Sequence, residues 1–237
     1  MGFIDEVAGA KRRELKRRRR SLVDAVSAPG LSVIAEVKQA SPSEGRIKVV
    51  APAVQARLYE SAGASAVSVL TEERHFGGSL EDLRAVKAAV EVPVLRKDFI
   101  VDVYQLYESL VYGADAVLLM AAILKDDTKT YVLKAHEIGL ECMVEVHDAG
   151  EVDYAVESGA RLIGINNRDL ETLKVELGTT ERLMPLIPDD RLIVAESGIK
   201  TREDVERMEA AGADAVLVGT ALMRADDPAA NLRELMR

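Results

Sequence analysis

The stretch Ala211-Gly-Ala-Asp-Ala-Val-Leu-Val-Gly219 places a glycine turn directly before a short apolar run. The same pattern, a glycine turn followed by an apolar run, occurs three more times, in segments that begin at Ser61, Tyr112 and Ser158. Glycine suits the left-handed residue that closes a helix, and a β-branched run suits a strand buried on both faces. The repeated unit is therefore a helix followed by a strand.

Four further apolar runs lie between these copies, so the sequence predicts eight strands separated by helical patterns. The strands fall near residues 33–37, 66–70, 94–98, 116–120, 142–146, 162–166, 192–196 and 215–219. The clearest helices are Ala53–Ala62, Leu80–Val90, Val103–Val111, Asp148–Glu157 and Arg202–Ala211. Evenly alternating β and α elements in 237 residues predict an α/β fold, a single (β/α)8 TIM barrel. An open doubly wound sheet is disfavoured, because no Gly-x-Gly-x-x-Gly turn follows the first strand.

The net charge of −9 argues against general affinity for nucleic acid. The segment Lys11–Arg20 is the exception, with eight basic residues and one acidic residue. Such a segment is either an arm for an anionic surface or, as we favour, an N-terminal helix with a solvated basic face. That helix would dock apolar residues on the domain, namely Ile4, Val7, Leu15 and Leu22.

No apolar run approaches the roughly 18 residues of a membrane span. The chain has one cysteine, Cys142, which excludes an intramolecular disulfide and favours a reducing compartment. The sequence therefore predicts a cytoplasmic protein that needs neither a membrane nor a nucleic acid, and that is a monomer or a weak homodimer.

Charged and amide side chains stand at the ends of several predicted strands. Strand ends at one face of a barrel converge, so we expect these side chains to share one cavity. Mixed charges in one cavity separate the pKa values of neighbouring groups, which provides both an acid and a base near neutral pH. The predicted proton-transfer set is Glu36, Lys38, Lys97, Glu145, Asn166 and Glu196.

A phosphate site is predicted where strands seven and eight end. In barrels of this class, glycines and the N–H groups of a short helix bind a dianion at this position. The residues are Ser197 and Gly198 after strand seven and Gly219 and Thr220 after strand eight, with Ser41 and Arg168 as further donors.

Three apolar residues near the ends of strands two, three and four, Phe76, Phe99 and Leu118, could sandwich a flat ring. The three histidines, His75, His136 and His147, lack the spacing of metal ligands. We therefore predict no metal and no cofactor.

Several motifs together resemble those of the indole-3-glycerol phosphate synthase family. They are Ala35-Glu-Val-Lys-Gln-Ala-Ser-Pro-Ser43, Leu70-Thr-Glu-Glu-Arg-His-Phe-Gly-Gly-Ser79, Leu95-Arg-Lys-Asp-Phe-Ile100, Gly164-Ile-Asn-Asn-Arg-Asp-Leu170 and Ala195-Glu-Ser-Gly-Ile199. The resemblance implies a barrel domain over residues 31–237. It also implies a helical extension over residues 1–30, shorter than is usual in the family.

The resemblance further implies closure of an indole ring on a phosphorylated small molecule, with loss of CO2 and water. Lys97 would be the general acid at the ketone oxygen, and Lys38 would hold the carboxylate of the substrate. Glu145 would be the acid–base partner in the dehydration. The other charged and amide residues, Glu36, Asn166 and Glu196, would orient the amine, the hydroxyls and the lysines.

Two other classes remain open at this stage, since a fold does not fix a function. One is another sugar-phosphate enzyme on the same barrel, an isomerase or an aldolase. The other is a non-catalytic or redesigned barrel that binds a phosphorylated ligand.

Overall fold

The computed structural model describes residues 20–41, 45–47 and 50–237, and its main feature is a closed barrel of eight parallel strands. The strands, β1 to β8, are Ser32–Val37, Ala66–Leu70, Val94–Lys97, Ala116–Met120, Glu141–Val146, Leu162–Asn166, Leu192–Glu196 and Ala215–Val218. β8 closes the barrel on β1, where Ala215 pairs with Ser32. The predicted barrel is confirmed, and every strand boundary lies within one residue of its predicted position.

Twelve α-helices surround or cap the barrel in the described residues. In chain order, α1 to α12 are Leu22–Val26, Pro52–Ser61, Glu73–Phe76, Leu80–Ala89, Tyr104–Tyr112, Ala121–Leu124, Thr128–Ile138, Ala149–Ser158, Gly178–Leu183, Arg202–Ala211, Thr220–Arg224 and Pro228–Leu235. A short antiparallel pair, Ala40–Ser41 and Gly45–Arg46, follows β1. The five predicted helices are found within one residue, and Gly212 closes α10 with a φ of +103°.

Side-chain alternation along the strands separates two cores. On β1, Val33, Ala35 and Val37 pack outwards in the large core between strands and helices. Ile34 instead belongs to the smaller core inside the barrel. Because successive strand side chains point to opposite faces, Glu36 and Lys38 must point inwards. The same alternation directs Lys97, Glu145, Asn166 and Glu196 into the barrel.

Helix α1 seals the end of the barrel where the strands begin. Leu22, Val23 and Val26 pack into the interior core. Glu141, the first residue of β5, accepts hydrogen bonds from Ser21 Oγ at 2.7 Å and from the Val23 N–H at 2.9 Å. The predicted docking of Leu22 is therefore found at the end of the barrel where the strands begin, which we call the barrel floor.

Most of the predicted basic segment, and with it Ile4, Val7 and Leu15, lies outside the described residues. Within the described part of the chain, no helix has the length and apolar character needed to cross a bilayer.

Candidate active site

The ammonium group of Lys97 lies between two buried carboxylates at the end of the barrel where the strands finish. Its Nζ is 2.8 Å from Oε2 of Glu145 and 2.7 Å from Oε2 of Glu196. Only 2% of the Glu145 side chain and 1% of the Glu196 side chain are exposed, against 16% for Lys97. The lysine is thus the member of this cluster that solvent or a ligand reaches.

The two carboxylates differ in ionisation although both contact Lys97. Burial would raise the pKa of Glu145, but Lys97 and His147 hold it below its ordinary value. Burial raises the pKa of Glu196, and Lys97 only partly opposes this effect, while the charge of Glu145 adds to it. The contacts of the two side chains also differ, since Oε1 of Glu145 accepts a hydrogen bond from Asn166 Nδ2 at 3.1 Å. Oε1 of Glu196 is buried and has no hydrogen-bond partner among the described residues.

Lys97 itself stays protonated in this setting. Burial would lower the pKa of its ammonium group, but Glu145, Glu196 and Glu36 raise it above its ordinary value. The site therefore combines a held proton, on Lys97, with an ionised carboxylate, on Glu145. This is the combination that general acid–base chemistry requires.

Glu36 and Lys38 form a second ion pair inside the barrel mouth, with Nζ 2.7 Å from Oε1. Gly219 lies against this pair, and a Cβ atom at position 219 would overlap Oε1 of Glu36. The absence of a side chain at Gly219 therefore makes room for the pair. Gly219 also precedes α11, as predicted for a backbone that binds phosphate.

His147 was missed as a site residue by the sequence analysis, which considered it only as a metal ligand. Its Nε2 lies 3.2 Å from Oε1 of Glu145, and its Nδ1 lies 2.9 Å from Oε2 of Glu151. The Nε2 contact is an ion pair rather than an aligned hydrogen bond. A signal was present, since residues 145 and 147 share one face of an extended chain.

Arg96 was also missed, and it supports the segment that carries Lys97. It points away from the barrel interior and is 2% exposed. Its guanidinium donates to Asp98 Oδ2 at 2.8 Å, to Thr71 Oγ1 at 3.1 Å and to Ser109 Oγ at 3.0 Å. The network ties the end of β3 to the end of β2 and to α5, which fixes the backbone on either side of Lys97.

The predicted phosphate residues after β7 form a tight turn. Ser197 and Gly198 have φ angles of +65° and +86°, both in the left-handed region. A Cβ at Gly198 would lie 2.5 Å from Val175 Cγ1, so only glycine fits against the loop that follows β6. Asn167 Nδ2 donates to the carbonyl oxygen of Ser197 at 3.2 Å and so holds the turn in place.

Arg168 binds its own loop, because its guanidinium donates to the carbonyl oxygen of Leu173 at 3.0 Å. Thr220 is half-buried and begins α11, beside Gly219. The position of the Ser41 side chain lies outside what the structure describes. Each of these residues stays a predicted phosphate ligand.

The predicted ring pocket is partly assembled. The rings of Phe76 and Phe99 have centroids 6.3 Å apart and planes tilted by 42°. Phe76 ends the short helix α3, whereas Phe99 is 38% exposed. Leu118 lies in the middle of β4, in the interior core, rather than at the strand end where it was predicted. It stands deeper than Met120, the residue that pairs with Glu145.

Comparison with known proteins assigns the chain to a family. A family model described as indole-3-glycerol phosphate synthase matches residues 4–235. The chain belongs to the indole-3-glycerol phosphate synthase family. That assignment includes the residues before the barrel as well as the barrel itself.

Curated indole-3-glycerol phosphate synthases from several bacteria are close relatives. The synthase of Dehalococcoides mccartyi is 53% identical over 209 residues, which cover 86% of this chain and 81% of the relative. The synthase of Kineococcus radiotolerans is 50% identical, with 87% and 76% coverage. The synthase of Aquifex aeolicus is 44% identical and covers 100% of this chain and 99% of its own length.

A solved structure outside the indole-3-glycerol phosphate synthase family has the same fold. It is a thiamine phosphate pyrophosphorylase from Pyrococcus furiosus, with a TM-score of 0.65 over 91% of this chain and 96% of that chain. At 17% sequence identity the likeness concerns the barrel alone.

Proposed function

We propose that the barrel mouth converts 1-(2-carboxyphenylamino)-1-deoxyribulose 5-phosphate into indole-3-glycerol phosphate. This reaction is a decarboxylating ring closure, a lyase step of tryptophan biosynthesis. One carbon–carbon bond forms between the aromatic ring and the ketone carbon, and CO2 and water leave. Family membership supports the substrate, and the observation that carries the proposal is the Lys97 ammonium held between Glu145 and Glu196.

Lys97 is the proposed general acid. As the aromatic carbon attacks, the ketone oxygen becomes an alkoxide, which is basic enough to take a proton from an ammonium group. The raised pKa of Lys97 keeps that proton in place until the alkoxide forms. The same property disfavours a Schiff-base aldolase, since an amine must be neutral to attack a carbonyl.

Glu145 is the proposed acid–base partner in the dehydration. Its pKa lies below the ordinary value, so it is ionised at neutral pH and can accept a proton from the substrate. Glu196 binds the other side of Lys97 and keeps the lysine aligned. Asn166 contacts Glu145 through Nδ2 and receives the Arg168 N–H on Oδ1 at 3.0 Å, which fixes the amide for a substrate hydroxyl.

Lys38 is the proposed partner of the carboxylate that the substrate loses as CO2. In the structure its ammonium is paired with Glu36, and 14% of the side chain is exposed. A substrate carboxylate would bind the exposed side of this ammonium, while Glu36 keeps it in place and orients the substrate amine.

The remaining site residues are proposed for binding. The phosphate would be held by the turns after β7 and β8 and by donors from two loops, namely Ser197, Gly198, Gly219, Thr220, Ser41 and Arg168. The anthranilate ring would lie against the tilted pair of Phe76 and Phe99, above Leu118. We propose that no metal or cofactor takes part.

We further propose a two-part organisation, with residues 1–30 as a helical extension and residues 31–237 as the catalytic barrel. We place the enzyme in the cytoplasm as a monomer or a weak homodimer that binds no nucleic acid.

The direct test is incubation with the carboxyphenylamino-deoxyribulose phosphate while indole fluorescence is followed. The chain contains no tryptophan, so the product appears against little protein background. We expect fluorescence to rise with enzyme concentration and CO2 to be released in equal amount. Absence of indole product from a folded sample would contradict the proposed function.

A further inference from the structure

His147 is fixed between two carboxylates beside the proposed reaction centre. Nδ1 of its ring lies 2.9 Å from Oε2 of Glu151, and the same oxygen accepts the His147 backbone N–H at 2.7 Å. Glu151 is in turn held at the start of α8, where its N–H donates to Asp148 Oδ1 at 2.9 Å. These contacts set the orientation of the ring and point Nε2 towards Glu145.

The two carboxylates in contact with the ring favour its positively charged form. Burial alone would lower the pKa of His147, but Glu145 and Glu151 raise it to about 10. The charged groups that face it come from three elements: Glu145 on β5, Glu151 on α8, and Asp169 in the loop after β6.

The two oxygens of Glu145 have different cationic partners. Oε2 binds Lys97, whereas Oε1 meets the neutral amide of Asn166 and the charged ring of His147. When Lys97 gives its proton to the substrate, the positive charge that faces Oε2 is lost, because the ammonium group becomes a neutral amine. Among the described residues, His147 is then the cation that remains in contact with Glu145.

We propose that His147, oriented by Glu151, is a positioning residue that keeps Glu145 ionised and in place after Lys97 has released its proton. This inference rests on the proposed acid–base role of Glu145. It adds a pair of residues, one on the β5 end and one on α8, to the machinery of the reaction. Neither residue needs to touch the substrate.

The test measures how kcat/KM depends on pH in the wild type, in His147→Gln and in Glu151→Gln. Loss of the cation should raise the pKa of Glu145, so the acidic limb of the profile should move to higher pH by about one unit in His147→Gln. Glu151→Gln should move the limb in the same direction by a smaller amount. KM should stay within about twofold, because neither side chain binds the substrate.

The matched control is His136→Gln, which removes an exposed histidine of α7 and should leave the profile unchanged. Glu145→Gln serves as the reference for the proposed function. If Glu145→Gln keeps wild-type activity and profile, the proposed role of Glu145 is wrong. If Glu145→Gln loses the acidic limb while His147→Gln leaves it unmoved, the inference is overturned and the function stands.

A second measurement is independent of catalysis and of variant folding. Ring ¹⁵N spectra of the wild type, which has only three histidines, report the ionisation of His147 directly. We expect both ring nitrogens of His147 to carry protons at pH 8. A neutral ring at that pH would overturn the inference.

Discussion

Gly164 on β6 lies against the carboxylate of Glu196 on β7, so that a Cβ atom at position 164 would overlap Oε1 of Glu196. Gly164 pairs with Glu145 on its other side, in the register of β5 and β6. Because glycine has no side chain, there is room at position 164 for the Glu196 carboxylate that contacts Lys97. The ion-pair geometry of the site depends on a glycine that carries no functional group.

Gly164→Ala should displace the carboxylate of Glu196 and, through it, Lys97. Because misplacing a catalytic group by about 1 Å can cost roughly 10²-fold in rate, we expect a loss of that order in kcat/KM. The matched control is Gly178→Ala, whose new Cβ would meet its nearest atom at an ordinary 3.4 Å. The measurement is kcat/KM of both variants in steady state, with melting temperatures to confirm that both are folded. Near-normal kcat/KM in Gly164→Ala would mean that Glu196 need not occupy its observed position.

Gly219→Val tests the proposed phosphate site. A side chain at position 219 would overlap Glu36 and crowd the backbone at the start of α11, so we expect KM to rise strongly. The measurement is the gain in melting temperature that inorganic phosphate gives, since a ligand of the native state stabilises it by RT ln(1 + [L]/Kd). We expect Gly219→Val to lose this gain and Gly164→Ala to keep it. An equal gain in Gly219→Val and wild type would place the phosphate elsewhere.

Leu22→Ala tests whether stability resides at the barrel floor. Leu22 is fully buried in the interior core, and removing a buried leucine typically costs about 2–5 kcal/mol. We expect a drop of that size in the free energy of unfolding, measured by urea denaturation, with kcat of the folded enzyme unchanged. Leu133→Ala, at a position that is 58% exposed, is the control and should unfold like the wild type. A large fall in kcat without a loss of stability would show instead that packing at the barrel floor affects the active site.

The ion pairs of His147 should make stability depend on pH. Its pKa rises from 6.5 to about 10 on folding, so the folded state binds the proton more tightly than the unfolded state. The resulting stabilisation is complete below about pH 6.5 and is lost as pH rises through about 10. The free energy of unfolding of the wild type should therefore exceed that of His147→Gln at pH 6, and the difference should shrink steadily towards pH 10. If the difference in free energy of unfolding does not depend on pH, the histidine is neutral in the folded protein.

The fold could be predicted almost completely because its signals are local. Each repeat carries its own helix-closing glycine and its own apolar strand, and Gly212 adopts the left-handed conformation that the pattern requires. Thr201 and Asp204, which are close in the chain, form a reciprocal cap at the start of α10. Charged residues at strand ends were equally readable, since alternation alone directs Lys97 and Glu145 inwards.

The rest of the site depends on contacts between distant parts of the chain. The close approach of Gly164 to Glu196 and the support of Lys97 by Arg96 follow from strand register and packing, which the sequence does not state. Leu118 was assigned to a strand end, although the predicted strand 116–120 already places it in the middle of β4. His147 was overlooked because it was considered only as a metal ligand, and its partner Glu151 lies on a helix.

Lys97→Met is the variant on which the proposed chemistry depends most directly. Methionine resembles the aliphatic part of the lysine side chain but removes the proton donor that lies between Glu145 and Glu196. The measurement is kcat in steady state beside the dissociation constant of the substrate, on protein whose melting temperature confirms folding. We expect kcat to fall by about 10²–10⁴-fold while the dissociation constant changes by less than about tenfold. A variant that keeps more than about a tenth of the wild-type kcat would show that Lys97 is not the general acid, and Lys38 would then be the candidate.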